Sequence, residues 1–115
     1  MRSGRRYVPD RGDVISVDFS PQSGKEQAGR RPAVVLSGAE YNGRVGRCIC
    51  CPITSRVKGY PFEVEVRGAP GVVGVGLADH VSSLDWEARR ATRTSRVPNL
   101  VVDKIVAKIN DVIGA

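Results

Sequence analysis

Apolar and polar residues alternate through most of this chain and change to a helical spacing only near its end. In Val14-Ile-Ser-Val-Asp-Phe19, Ile15, Val17 and Phe19 share one face and Ser16 and Asp18 the other, the period of a strand. Arg31-Pro-Ala-Val-Val-Leu-Ser37 predicts a second strand, its proline near the start where a missing N–H does least harm. Arg47-Cys-Ile-Cys-Cys-Pro-Ile-Thr54 predicts a third. Pro52 argues that regular pairing ends there, which leaves Thr54 at a strand end with its side chain free. Phe62-Glu-Val-Glu-Val66 predicts a fourth, and Gly74–Ala78 and Ala91–Ser95 are shorter candidates. Between them, Ser20–Arg30 reads as a long loop with Pro21, Gly24 and Gly29, the kind of loop that is often functional in a compact domain. Tyr41-Asn-Gly43 is a turn signal, and Asp79–Arg90 has room for a short helical turn. Val101, Val102, Ile105, Val106, Ile109, Val112 and Ile113 then fall on one face of an amphipathic helix that Pro98 and Asn99 start and Gly114 stops.

Short strands punctuated by turns, followed by one helix, predict a mainly β fold with α (α+β). Its core is a small twisted antiparallel sheet curled toward a barrel, with a C-terminal amphipathic helix. The 115 residues suffice for a single domain, 1–115, with residues 1–6 as a flexible tail. No stretch is long and apolar enough to cross a bilayer, and the basic N-terminus has no apolar run behind it. The cytoplasm is the expected compartment.

The formal net charge of +6 favours polyanions, nucleic acid first, although an acidic protein partner satisfies the same charge. Cys48, Cys50 and Cys51 are odd in number and tightly clustered, which argues against a disulfide framework. A zinc site normally needs four ligands, and His80 is the only histidine. The cysteines therefore read as small buried apolar residues, with Cys48 and Cys50 on one strand face and Cys51 on the other.

Several separated stretches, in order, resemble the MazF/PemK family of toxin endoribonucleases. They are Tyr7-Val-Pro-Asp-Arg-Gly-Asp13, Val17-Asp-Phe with Pro21, Glu26-Gln-Ala-Gly-Arg-Arg-Pro-Ala-Val-Val-Leu36, Cys51-Pro-Ile-Thr-Ser55, Lys58-Gly-Tyr-Pro-Phe-Glu-Val64, Leu77-Ala-Asp79 and Ser83-Leu-Asp-Trp86. The resemblance spans roughly residues 7–114. It implies a small SH3-like barrel, a two-fold homodimer and sequence-specific cleavage of single-stranded RNA without metal or cofactor. It also implies a cognate MazE-like antitoxin whose acidic C-terminal segment lies across the RNA groove. The family's catalytic arginine falls on Arg31 and its threonine on Thr54. Arg30, Ser55, Lys58, Asp79 and His80 fall where RNA contacts are expected. Members often carry histidine where this chain has Arg30, and some carry glutamine where it has His80.

These residue types suit that chemistry. RNA carries its own nucleophile, the 2′-hydroxyl, whose attack on the adjacent phosphorus leaves a 2′,3′-cyclic phosphate and a 5′-hydroxyl. Protein must move protons and stabilise charge on the phosphoryl oxygens. Arg31 offers a planar fork of donors for the second task, while a guanidinium pKa above about 12 makes a proton role demanding. Thr54 can donate one hydrogen bond. Glu26 is either a base for the 2′-hydroxyl proton or a loop carboxylate paired with Arg30. His80 has the best-suited ordinary pKa, but a lone histidine after a strand is more often structural. Lys58 is a phosphate contact or a solvated lysine. Arg89, Arg90 and Arg93 are RNA groove, antitoxin contact or solvated face. Tyr41 and Tyr60 are candidate stacking rings, while Phe62 and Trp86 read as core or dimer interface. Two rivals stand beside the nuclease: a gyrase-poisoning toxin that docks as a dimer, and a non-catalytic RNA-binding module.

Overall fold

The computed structural model describes residues 7–19 and 29–114, so the proposed tail 1–6 and most of the Ser20–Arg30 loop, Glu26 included, lie outside the described residues. Strands β1 (Asp13–Asp18) and β2 (Arg30–Val35) are followed by helix α1 (Ala39–Val45) and strand β3 (Cys48–Thr54). Strands β4 (Glu63–Glu65) and β5 (Val75–Leu77) come next, then a 3₁₀ turn at Ala78–His80 and β6 (Ser82–Leu84). Strand β7 (Thr92–Arg96) and helix α2 (Asn99–Ile113) complete the order.

All pairings are antiparallel and run β4-β5-β3-β2-β1-β7, with β6 on β3 as a side branch. The path curls without closing, because β4 and β7 do not pair with each other. The predicted α+β class and curled antiparallel sheet are therefore what forms, and α2 has the bounds read from Pro98 and Gly114.

Alternation explains how one sheet carries two cores. Val14, Val34, Cys51 and Ile53 face α2 and pack on its Val101, Val102 and Ile105. Their neighbours Ile15, Val17, Ala33, Val35, Cys48 and Cys50 face the other way, onto Leu84 and Trp86. Cys51 thus parts from Cys48 and Cys50 as the strand period requires, and all three thiols are free and buried. Burial pushes the Cys51 thiol up to about 12. Trp86 is a core residue, its indole N–H donating to the Asn42 carbonyl at 3.0 Å.

Two local readings are corrected. The Tyr41-Asn-Gly43 segment lies inside α1 and is not a turn. Its helix is held from afar: Asp10 Oδ1 accepts the first-turn N–H of Ala39, and Gly46 closes the end at φ +81°. Buried Asn42 donates to the Pro9 and Ser37 carbonyls and accepts from the Ser37 hydroxyl. Within Asp79–Arg90, the helical turn begins one residue early, at Ala78, and the segment also holds strand β6, whose Ser83 anchors Arg47 just before β3.

Candidate active site

The site forms where β2 and β3 part. Their register pairs Val35 with Cys50, Val34 with Cys51 and Ala33 with Pro52. Pro52 has no N–H to continue the ladder, and β3 turns to pair with β5 through Ile53 and Thr54. Continued two residues past the last pair, the β2–β3 register sets Arg31 across from Thr54. Both residues line one open cleft of about 650 Å³, together with Ser55, Arg56, Val72 and Val73.

Arg31 is exposed, and among the described residues its guanidinium has no hydrogen-bond or ion-pair partner. Its backbone is held firmly, because it pairs with Val17 and follows the heavily tied Arg30. Arg30 donates to the Ser16 hydroxyl at 3.0 Å and the Ser16 carbonyl at 2.6 Å. It also donates to the Arg90 carbonyl and stands 3.8 Å from the Asp18 carboxylate. Arg30 thus staples the start of β2 to β1 and to the approach to β7.

Thr54 is half-buried at the end of β3. Its hydroxyl oxygen accepts the Arg56 N–H at 3.1 Å, which leaves the hydroxyl proton to be donated. Gly74, at φ +140°, lies so close that an added Cβ would stand 2.3 Å from the Thr54 carbonyl oxygen. Only glycine lets β5 approach Thr54 this way.

Thr54 also borders a second cavity of about 210 Å³, shared with Arg56, Lys58, Phe62 and His80. Tyr60 and Phe62 stack along it with ring centroids 5.2 Å apart. The His80 Nε2 lies 3.8 Å from Asp79 Oδ1, but Asp79 itself lines neither cavity.

Residues 10–113 match the family model described as PemK-like, MazF-like toxin of type II toxin-antitoxin system. The chain belongs to this family. The chain is 54% identical over 109 residues to the endoribonuclease toxin MazF of Escherichia coli (strain K12), covering 95% of this chain and 97% of that protein. The crystal structure of MazF (Form-I) from Deinococcus radiodurans is similar at a TM-score of 0.86 and 50% identity, over 96% of this chain and 100% of that one. The MazE-MazF (Form-II) crystal structure from the same organism matches with a TM-score of 0.83 and 46% identity, over 95% and 98% of the two chains.

In this MazF-like chain the fold brings together Arg31, Thr54, Ser55, Lys58 and His80, and turns Arg30 toward the strands behind them. Arg89 also leaves the basic cluster read from sequence: its guanidinium donates to the Asp18 and Phe19 carbonyls at 2.8 and 3.0 Å. Sequence reading missed Arg56, which lines both cavities, Glu63, which holds the Lys58 and Gly59 amides, and Gly74, which lies against the Thr54 backbone. The signals were present as a cation two residues past Thr54 and a glycine at the start of β5, but neither declares its partner locally.

Proposed function

We propose that this chain is one MazF/PemK-like unit acting as a sequence-specific, metal-independent endoribonuclease toxin. It cuts single-stranded RNA, messenger RNA foremost, and so stops translation and growth. The supporting observation is that Arg31 and Thr54 line one open cleft, the first with an unspent guanidinium and the second with a hydroxyl proton to give. A phosphodiester seated there has its non-bridging oxygens facing both donors. As the 2′-oxygen attacks, charge grows on those oxygens, and donors already in place stabilise it by about 10²–10³ in rate each. Arg31 acts as a fixed charge, because its pKa keeps the proton on the guanidinium. Thr54 orients the phosphate. Glu26, five residues before Arg31 in the sequence, accepts the 2′-hydroxyl proton; as the O2′–P bond forms the P–O5′ bond breaks, and the proton passes through water to the leaving 5′-oxygen. Arg30 holds the strand that carries Arg31, and Ser55, Lys58, Asp79 and His80 meet the flanking nucleotides.

The E. coli relative is named an endoribonuclease toxin, and the Deinococcus toxin is crystallised with MazE. By that likeness the protein works as a homodimer in the cytoplasm and is silenced by a MazE-like antitoxin. The antitoxin's acidic C-terminal segment takes the place of RNA on the same cations. No helix among the described residues is long and apolar enough to cross a membrane. A gyrase-docking toxin has no need of an open Arg31–Thr54 cleft, and the nuclease names of the relatives favour cutting.

The test is incubation of purified protein with mixed-sequence single-stranded RNA in excess chelator. Wild type is expected to cut at one short sequence. Arg31→Ala is expected to lose about 10²–10³ in kcat, and Thr54→Ala to lose less. Full-strength cutting by both variants rejects the site, and an inert wild type that inhibits gyrase rejects the reaction.

A further inference from the structure

The segment that carries Arg56 and Lys58 between the two cavities is tied at both ends. At one end Thr54 Oγ1 accepts the Arg56 N–H. At the other, the two carboxylate oxygens of Glu63 take separate backbone amides: Oε2 accepts the Lys58 N–H at 3.1 Å and Oε1 accepts the Gly59 N–H at 2.9 Å. Glu63 is a rigid anchor, because its strand position pairs with Leu77 and its own N–H donates to the Tyr60 carbonyl at 3.1 Å. Gly59, at φ +82°, supplies the left-handed bend that presents consecutive amides to one carboxylate.

A carboxylate in a basic groove ordinarily repels phosphate and captures the nearest cation. Here its oxygens are spent on amides, through charge-assisted hydrogen bonds. Among the described residues the side chains of Arg56 and Lys58 have no hydrogen-bond or ion-pair partner. Both line the cavity beside Thr54. We propose that Glu63 is a positioning residue for substrate binding: its carboxylate clamps the Lys58 and Gly59 amides and so holds the Arg56 and Lys58 cations over the groove beside Thr54. This role rests on the ribonuclease reading above, and acts on RNA binding more than on the chemical step, since Arg31 and Thr54 stand on strands that Glu63 does not hold.

The experiment compares wild type, Glu63→Gln and Glu63→Ala, each with and without Lys58→Ala, on a single-stranded RNA substrate over a salt series. Hydrogen exchange of the Lys58 and Gly59 amides is followed in the same proteins. In Glu63→Ala those amides are expected to exchange at least about tenfold faster, as for a locally opened segment. KM is expected to rise about tenfold with kcat within about threefold, the split expected when ground-state and transition-state binding are lost equally. The slope of log affinity on log salt is expected to fall by about 0.7 for each phosphate that is no longer neutralised. Glu63→Gln, which keeps one acceptor oxygen, is expected to fall between, and carries the test alone where Glu63→Ala does not fold. Lys58→Ala is expected to raise KM in wild type and to add little in Glu63→Ala, because the two act as a unit.

Wild-type amide exchange or wild-type KM in Glu63→Ala, beside an active wild type, overturns this role alone. So does strict additivity with Lys58→Ala. A wild type that cuts no RNA overturns the ribonuclease reading and this role with it.

Discussion

Gly74→Ala tests the active-site geometry without removing a polar side chain. The new Cβ would stand 2.3 Å from the Thr54 carbonyl oxygen, 2.9 Å from its carbon and 3.3 Å from Ser55 Cα, where ordinary contact begins at 3.4 Å. The obstacle is backbone on a paired strand, so no rotamer relieves it. The Thr54 peptide must retreat by about 1 Å, carrying its hydroxyl off the phosphate, a misplacement worth about 10²-fold in rate. That corresponds to about 2.7 kcal/mol of barrier. Alanine at φ +140° adds backbone strain of about 1–3 kcal/mol to the stability cost. Gly46→Ala is the control: at φ +81° it bears left-handed strain, but nothing lies within 4 Å of its Cβ and it closes α1 away from the cleft. The assay is kcat and KM on a fluorogenic single-stranded oligonucleotide, beside thermal melts of each variant, at a temperature where all are folded. Gly74→Ala is expected to lose about 10²-fold in kcat while Gly46→Ala, though destabilised, keeps wild-type kcat. Wild-type kcat in Gly74→Ala refutes the reasoning, as does a loss that merely follows the folded fraction.

Three further outcomes are expected. Asn42→Ala removes a buried amide that serves the Pro9 and Ser37 carbonyls and the Ser37 hydroxyl. Stranding those groups should cost about 3 kcal/mol, read from the urea midpoint, whereas a cost below about 1 kcal/mol would show that water replaces the amide. Arg30→Ala should lower kcat about tenfold by loosening the strand under Arg31, and Arg30→Lys should restore little, since a lysine cannot span the Ser16 and Arg90 acceptors; full rescue by lysine would make Arg30 a simple charge. Stability should fall with rising pH: burial holds the Cys51 proton to about 12 against an ordinary 9.0, and burial with the Asp13 hydrogen bond holds the Tyr7 proton far above its ordinary 10.0. Above pH 9.0 the unfolded chain has released a proton that folded Cys51 keeps, so unfolding gains about 1.4 kcal/mol per pH unit from this thiol until about pH 12. Urea titrations at stepped pH should show a slope shallower in Cys51→Ala than in wild type by about that amount, and identical slopes would place the alkaline transition elsewhere.

What the sequence made legible follows from how far each cause reaches along the chain. Strand alternation and the helical period are local, so β1, β2, β3 and α2 could be read, and so could the opposite faces of Cys50 and Cys51. Pro52 announced a break because the loss of an N–H is a property of one residue, but regular pairing does not end there: β3 runs on to Thr54 by exchanging β2 for β5, a partner that no local signal names. Helix α1 escaped because what holds it, Asp10 on the Ala39 amide and Pro9 on the Asn42 side chain, comes from about thirty residues upstream, beyond any local window. Strand β6 escaped because its residues, Ser82 and Ser83, have no apolar alternation of their own and pair only because β3 offers an edge. Arg30 and Arg31 make the same point within the site. As adjacent residues of one type they are indistinguishable by composition, yet on a strand they point to opposite sides. One meets the acceptors of Ser16 and Arg90 and is consumed, and the other meets an open cleft. A guanidinium can stabilise a transition state only if no protein acceptor has claimed it first. The division between these two arginines is therefore fixed by strand parity, and the proposed reaction depends on a register that neither arginine encodes alone.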